Sequence, residues 1–136
     1  MASPGFHYNK RLDELALSQV CELMSDLQAL PIAQVNWPSV SHYKPITCVK
    51  LAYSNNALYL LFSVKSESVK ATHFQLQSPV SQDSCVEFFM RLPNEREYWN
   101  FEFNAIGAIN ASRRQRRDRP TRLTEQELLT IERWPS

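Results

Sequence analysis

The segment that decides the fold is QDSCVEFFMRLPNEREYWNFEFNAIG, residues 82–107. Within it, aromatic and polar residues alternate through YWNFEFN (98–104), which is the two-residue period of a β-strand with one apolar and one polar face. Residues 84–92 form a second apolar run, and the charged stretch 93–97 between the runs is typical of a turn. The segment therefore predicts two paired antiparallel strands that bury Trp99 and turn amides and acids outward.

The sequence on the N-terminal side predicts a hairpin preceded by a helix. Apolar residues alternate through residues 46–53 and 57–65, and the turn-forming sequence SNN (54–56) separates the two runs. Upstream, helical spacing of apolar residues predicts a helix from Ser18 to about Ala29, ended by Pro31.

Shorter strands are predicted at residues 32–37, 69–73 and 128–134, although TEQE (124–127) could instead begin a short helix through a capping box. The arginine-rich stretch 110–122 is predicted to be a loop. Many short strands favour an all-β fold, an antiparallel β-sandwich of the immunoglobulin or jelly-roll type with a short N-terminal helix. We expect two parts, a leader and helix in residues 1–30 and the sandwich in residues 31–136.

Composition excludes several classes of function. The 136 residues hold 15 basic and 14 acidic side chains, so the net charge of +1 gives no general attraction to nucleic acid or to a membrane. Only two glycines are present, which excludes the glycine-rich phosphate loops of nucleotide-binding enzymes. Cys21, Cys48 and Cys85 have neither disulfide-framework nor zinc-site spacing. Residues 1–11 lack the apolar core of a signal peptide, which favours the cytoplasm without fixing the compartment.

Four segments together resemble the carbohydrate-binding module family 9-like domain: IAQVNW (32–37), YSNNALYL (53–60), QDSCVEFF (82–89) and YWNFEFNAIG (98–107). The resemblance implies a β-sandwich that binds the end of an oligosaccharide or polysaccharide chain without cutting it, in the service of carbohydrate catabolism. It also implies that the chain is not an enzyme and needs no cofactor, with calcium binding by Asp83 or Glu87 suggested only by analogy.

The sequence departs from the family at the two tryptophans that sandwich a sugar ring. Ser81 stands where one tryptophan is usual, and the second would lie beyond Ser136. Glu102 stands where the family has an arginine on the polar strand face. We expect a sandwich that is incomplete at its C-terminus, which predicts either a truncated chain or a homodimer paired through the open sheet edge.

The predicted ligand surface is the polar strand face with its surroundings. It comprises Asp83, Glu87, Tyr98, Asn100, Glu102, Asn104 and Arg114. Carboxylates and amides can bond both the donors and the acceptors of sugar hydroxyls, and a tyrosine ring supplies apolar contact. The alternative is that these residues only bond one another across a solvated sheet face.

Three other interpretations remain open at this point. Glu87 and Glu102 could be the acid and the nucleophile or base of a glycoside hydrolase, or the chain could be an accessory part of one. The chain could also be a structural or dimerising module that has lost sugar binding. Finally, the basic cluster could bind phosphate or nucleic acid, form a solvated loop, or meet an acidic sugar near the site. That cluster consists of Arg113, Arg114, Arg116, Arg117, Arg119 and Arg122.

Overall fold

The computed structural model describes residues 5–136. The chain forms two compact units, Met1–Glu67 and Ser68–Ser136. Each unit contains one four-stranded sheet. All pairings in the two sheets are antiparallel except that of the first strand with the third. The predicted all-β, mainly antiparallel class is therefore confirmed.

The first unit is built on a long hairpin. In chain order its elements are β1 (Phe6–Tyr8), a 3-10 turn (Lys10–Glu14), α1 (Leu17–Ser25), β2 (Leu30–Pro31), β3 (Ile46–Tyr53) and β4 (Leu58–Lys65). β3 pairs with β4 along its full length, as the sequence predicts. The helix begins one residue before the predicted Ser18 and ends four residues before Ala29. Part of the predicted loose leader is β1, which runs parallel to β3, while residues 1–4 lie outside the described residues.

The core of the first unit forms between α1 and one face of the hairpin. Val20 and Met24 lie one helical turn apart and are buried together with Leu12 and Ala52. Asp13 fixes the turn of the hairpin, because its carboxylate accepts hydrogen bonds from Ser54 Oγ (2.6 Å), Asn56 Nδ2 (2.9 Å) and Tyr59 Oη (2.7 Å). These bonds lower the pKa of Asp13, that from Ser54 most and that from Tyr59 next.

The second unit is an antiparallel meander. Its elements are a 3-10 turn (Val80–Gln82), β5 (Cys85–Met90), β6 (Tyr98–Asn104), β7 (Ile109–Arg114), β8 (Pro120–Arg122) and α2 (Glu125–Leu129). The strands lie in the order β5-β6-β7-β8. The decisive segment therefore forms the two paired strands that its alternation predicts, Cys85 opposite Asn104 and Met90 opposite Trp99.

Four local predictions are wrong. The arginine-rich stretch 110–122 is a hairpin of β7 and β8 and not a loop. The predicted last strand is replaced by α2, where Thr124 and Glu127 form the capping box that was the alternative. Residues 69–73 and 32–37 contain no strand.

Residues near the C-terminus of the chain cover the apolar face of this sheet. Ile109 and Ala111 are buried with Leu123 and Leu128, and Trp99 packs against this cluster half-buried, with its ring stacked on that of Phe101. The side chain of Gln77 bonds the backbone of β7 as a neighbouring strand would. Its Nε2 donates to the carbonyl oxygens of Ala111 (2.9 Å) and Leu123 (2.7 Å), and its Oε1 accepts from Ala111 N (2.9 Å). Among residues 5–136, no helix combines the length and apolar composition that a bilayer crossing requires.

Candidate functional site

The opposite face of the second sheet collects polar side chains from three neighbouring strands. Residues directly opposite each other on paired strands share a face, so the register defines its members. We call this surface the polar face, and it comprises Cys85, Glu87, Phe89, Tyr98, Asn100, Glu102, Asn104, Asn110, Ser112 and Arg114. The face is therefore a consequence of three strands that each alternate with a period of two.

Asn100 occupies the centre of the polar face. It lies between Phe89 on β5 and Ser112 on β7 and is only 2% exposed. Its Nδ2 group has no hydrogen-bond partner among residues 5–136. A buried amide donor without a partner costs about 1–3 kcal/mol. Three other buried side-chain nitrogens among residues 5–136 also lack a hydrogen-bond partner, namely His7 Nε2, Trp99 Nε1 and Arg113 Nε, but none of them lies on the polar face. Asn100 therefore holds an unused donor at the middle of the face.

Two carboxylates lie side by side next to this donor. Glu87 on β5 and Glu102 on β6 are direct cross-strand partners, and Glu102 is 8% exposed whereas Glu87 is exposed. Glu102 Oε2 accepts a hydrogen bond from Asn110 Nδ2 at 3.0 Å. Loss of solvation and then the charge of Glu102 raise the pKa of Glu87. Burial, and after it the charge of Glu87, raise the pKa of the Cys85 thiol to about 11, so this thiol is protonated at neutral pH.

A guanidinium group faces the carboxylates from the far side of the face. Arg114 on β7 is the register partner of Tyr98, and its Nε donates to Ser112 Oγ at 2.9 Å. Its Nη1 donates to the carbonyl oxygen of Arg117 at 3.2 Å. These two bonds fix the guanidinium plane, and the remaining donors stay available to a ligand.

Aromatic rings border the polar centre. Phe89 on β5 is 56% exposed, and the centroid of its ring lies 6.3 Å from that of Tyr98 with the planes tilted by 43°. An exposed aromatic ring next to carboxylates and amides can cover the apolar C–H surface of a sugar while the polar groups bond its hydroxyls.

Asp83 and Asn104 stabilise the loop in front of β5. The buried Asp83 carboxylate accepts hydrogen bonds from Thr72 N (2.9 Å), Thr72 Oγ1 (2.7 Å), His73 N (3.0 Å) and Asn104 Nδ2 (3.0 Å). Burial opposes ionisation of Asp83, but the bonds from Thr72, His73 and Asn104 prevail and hold its pKa well below the ordinary value. Asn104 also donates to the carbonyl oxygen of His73 (2.8 Å) and accepts from Ala108 N (2.9 Å).

The same geometry tests the calcium suggested by analogy. Calcium takes six to eight oxygen ligands, carboxylates foremost. The oxygens of Asp83 are already occupied by protein donors, and Glu87 stands beside Glu102 without a third acid. Residues 5–136 contain no group of three or more His, Cys, Asp or Glu side chains arranged to hold a metal ion. The residues named by analogy do not fit a calcium site.

The structure sorts the seven predicted ligand residues into two groups. Glu87, Tyr98, Asn100, Glu102 and Arg114 converge on the polar face. Asn104 lies at the end of the same face, but it and Asp83 bond the loop in front of β5 and each other.

The alternation of β6 predicts that its amides and acids face solvent, but Asn100, Glu102 and Asn104 are buried. The predicted set also omits Cys85, Phe89, Asn110 and Ser112 of the polar face. Apolar Ile109 and Ala111 alternate with polar Asn110 and Ser112, and this alternation is the pattern that could have predicted the last two as members of the face.

Comparison with known proteins points to one family. The sequence model of carbohydrate-binding family 9 matches residues 18–136. The chain is also similar to a crystal structure from Bacteroides uniformis ATCC 8492, a protein for which carbohydrate binding has been suggested. The TM-score is 0.78 with 28% sequence identity over 86% of this chain, and the match spans 54% of the length of that protein. A comparison with curated proteins finds no match. The antiparallel β-sandwich class predicted from the sequence agrees with both findings.

Proposed function

This chain belongs to carbohydrate-binding family 9, and we propose that it is a non-catalytic module that binds the end of an oligosaccharide or polysaccharide chain on the polar face. One observation carries the proposal: the Nδ2 group of Asn100 is buried and unpartnered at the centre of that face. We further propose that the module serves carbohydrate catabolism.

The chemistry of the polar face suits a sugar ring. Hydroxyl groups both donate and accept, so a site for them needs both kinds of partner. Glu87 and Glu102 accept, whereas Asn100 Nδ2 and the guanidinium of Arg114 donate. Phe89 offers the apolar contact. A ring lying on the sheet would thus meet acceptors at one side, donors at the other and an aromatic plate at its border.

Binding without cleavage is supported by the placement of the carboxylates. Glycoside hydrolysis requires an acid and a second carboxylate that flank the scissile bond. Glu87 and Glu102 stand on adjacent strands of one sheet face, so both would contact a bound sugar from the same side. We therefore expect no product from chromogenic aryl glycosides. Product formation that disappears in Glu87→Gln and Glu102→Gln would replace this proposal with a glycoside hydrolase.

The decisive experiment removes the aromatic plate. Covering about 60 Å² of the Phe89 ring with a sugar would contribute about 1.5 kcal/mol at about 25 cal/mol per Å². Phe89→Ala should therefore raise the Kd for an oligosaccharide about tenfold in isothermal titration calorimetry. Phe74→Ala is the matched control, because Phe74 is 75% exposed and borders Leu128 on the apolar side of the sheet. Equal losses in both variants, or none in Phe89→Ala, would refute the assignment of the polar face.

A purely structural or dimerising module makes a different prediction. Such a module would bind none of the oligosaccharides of a glycan array, and its molar mass by light scattering would be that of a dimer. On the proposed function, the array contains ligands whose binding depends on Phe89.

A further inference from the structure

Opposite charges occupy opposite sides of the polar face. The acids Glu87 and Glu102 lie on β5 and β6, and Arg114 lies on β7. Arg122 on β8 extends the basic side, because it is the register partner of Ser112. Arg117 lies in the turn between β7 and β8. The face is therefore polarised across its strands, with its cationic side at the β7–β8 hairpin.

The two sides act on each other without closing into ion pairs. Arg114 and Arg117 lower the pKa of Glu87, against the larger effects of desolvation and Glu102 that raise it. Among residues 5–136, neither arginine forms an ion pair with Glu87 or Glu102. Charges that interact across open surface leave room for a ligand that carries an anionic group at one end and donors at the other.

The arginines of the hairpin differ in their availability. Arg116 is paired with Asp118 at 3.3 Å, and Arg113 is paired with Glu127 at 3.5 Å on the apolar side. Arg114 is oriented by Ser112 but keeps donors free, and the exposed guanidinium of Arg117 has no ion pair among the described residues. Arg119 and Arg122 are exposed and also have no ion pair among the described residues, so the available positive charge is spread over the β7–β8 hairpin and includes the edge of the polar face.

We propose that the ligand of this face is an acidic sugar, a uronic acid residue whose carboxylate accepts hydrogen bonds from Arg114 and Arg117 while its hydroxyls donate to Glu87 and Glu102. This inference rests on the proposed function and names its substrate class. A guanidinium matches a carboxylate in a planar two-bond arrangement, and charge-assisted bonds are about twice as strong as neutral ones. A sugar acid supplies both the anion and the hydroxyl donors that the two sides require.

A nucleic acid fits the same arginines less well. Its backbone carries a negative charge at every phosphate and would bring some of them against Glu87 and Glu102, where repulsion opposes binding. Asp118 places a further negative charge within the turn that carries Arg117. A single carboxylate per ring avoids this conflict.

The test compares each acid with its own methyl ester. Oligogalacturonate and oligoglucuronate, each with the carboxyl-methylated form, are titrated into the protein by isothermal titration calorimetry at low salt. At least one acid should bind about tenfold more tightly than its ester, and 0.5 M NaCl should reduce that ratio, because screening weakens exposed charge pairs. Arg117→Gln should reduce the ratio to about threefold, because only Arg114 then remains to bond the carboxylate. Arg116→Gln is the control with the same chemistry in the same turn and should leave the ratio unchanged.

The outcomes of this experiment distinguish the acidic-sugar inference from the proposed function on which it rests. If both esters bind at least as tightly as the acids, the acidic-sugar inference is overturned while sugar binding stands. If no sugar binds, acidic or neutral, the proposed function fails with it. Binding of a single-stranded oligonucleotide that is lost in Arg117→Gln, without a preference for either acid, would assign the arginines to nucleic acid and overturn the inference.

Discussion

Two asparagines on β6 provide a sharp test of the division between ligand binding and stability. Asn100 and Asn104 are both on the polar face and both buried, at 2% and 5% exposure. Asn104 makes three hydrogen bonds, to the His73 carbonyl oxygen, to Asp83 and from Ala108 N, whereas Asn100 Nδ2 makes none among residues 5–136. Leucine has nearly the shape of asparagine and bonds nothing, so Asn→Leu removes only the polar role.

The magnitudes follow from the number of bonds lost. Three hydrogen bonds at about 1 kcal/mol each predict that Asn104→Leu lowers the free energy of unfolding by about 3 kcal/mol. Asn100→Leu gives up no bond to Nδ2 and removes a buried donor that costs about 1–3 kcal/mol. We therefore expect its free energy of unfolding to stay within about 1 kcal/mol of the wild type or to rise. Its Kd for an oligosaccharide should increase about 2–10-fold, the worth of one hydrogen bond to the ligand.

Urea unfolding gives the stabilities of the three proteins, and calorimetric titration gives their affinities. The reasoning is refuted if Asn100→Leu loses as much stability as Asn104→Leu. It is refuted equally if Asn100→Leu binds the sugar as tightly as the wild type does.

Two further predictions concern the support of the sheet. Gln77→Leu should lower the free energy of unfolding by about 2–4 kcal/mol in urea, because it removes the side-chain partner of Ala111 N and of the Leu123 carbonyl oxygen, whereas the Ala111 carbonyl oxygen keeps its bond from Leu123 N. The exposed Gln75→Leu should change the free energy of unfolding by less than about 0.5 kcal/mol. Asp83 has a lowered pKa in the folded protein, so its contribution is complete above about pH 4 and is lost as the pH falls further. The thermal midpoint of the wild type should therefore fall more steeply below pH 4 than that of Asp83→Asn, and parallel curves would contradict the role given to this carboxylate.

The elements that the sequence predicts correctly are those in which apolar and polar residues alternate over a long run between clear turns. β3 and β4 have eight residues each, and the SNN turn between them sets their register. β5 and β6 follow the alternation of residues 82–107. In both hairpins the apolar pattern, the turn residues and the pairing agree, and such agreement is what makes a segment predictable.

The segments that the sequence does not predict depend on distant partners. Arg113 lies in β7, where its guanidinium stacks over the Trp99 ring, 5.3 Å from the ring centroid, and pairs with Glu127 of α2. A run of arginines viewed locally is typical of a solvated loop, and nothing within the run identifies Trp99 as a neighbour. Likewise, Gln77 adopts a positive φ of 61° and substitutes for a strand at the edge of β7, a role that only the folded sheet reveals.

The same dependence on distant partners explains why the two-residue period of β6 alone assigns Asn100 and Asn104 to one site. Both obey the alternation of β6, so a pattern of two cannot separate them. What separates them is the end of the strand: Asn104 comes next to the chain reversal, where Asp83, His73 and Ala108 converge on it, and Asn100 lies four residues inside. A polar side chain at the end of a strand can form hydrogen bonds with the backbone of the adjoining loops. A polar side chain in the middle of a strand has only the side chains of the neighbouring strands within reach. The unpartnered donor of the polar face is therefore at its middle, where the proposed ligand would supply an acceptor.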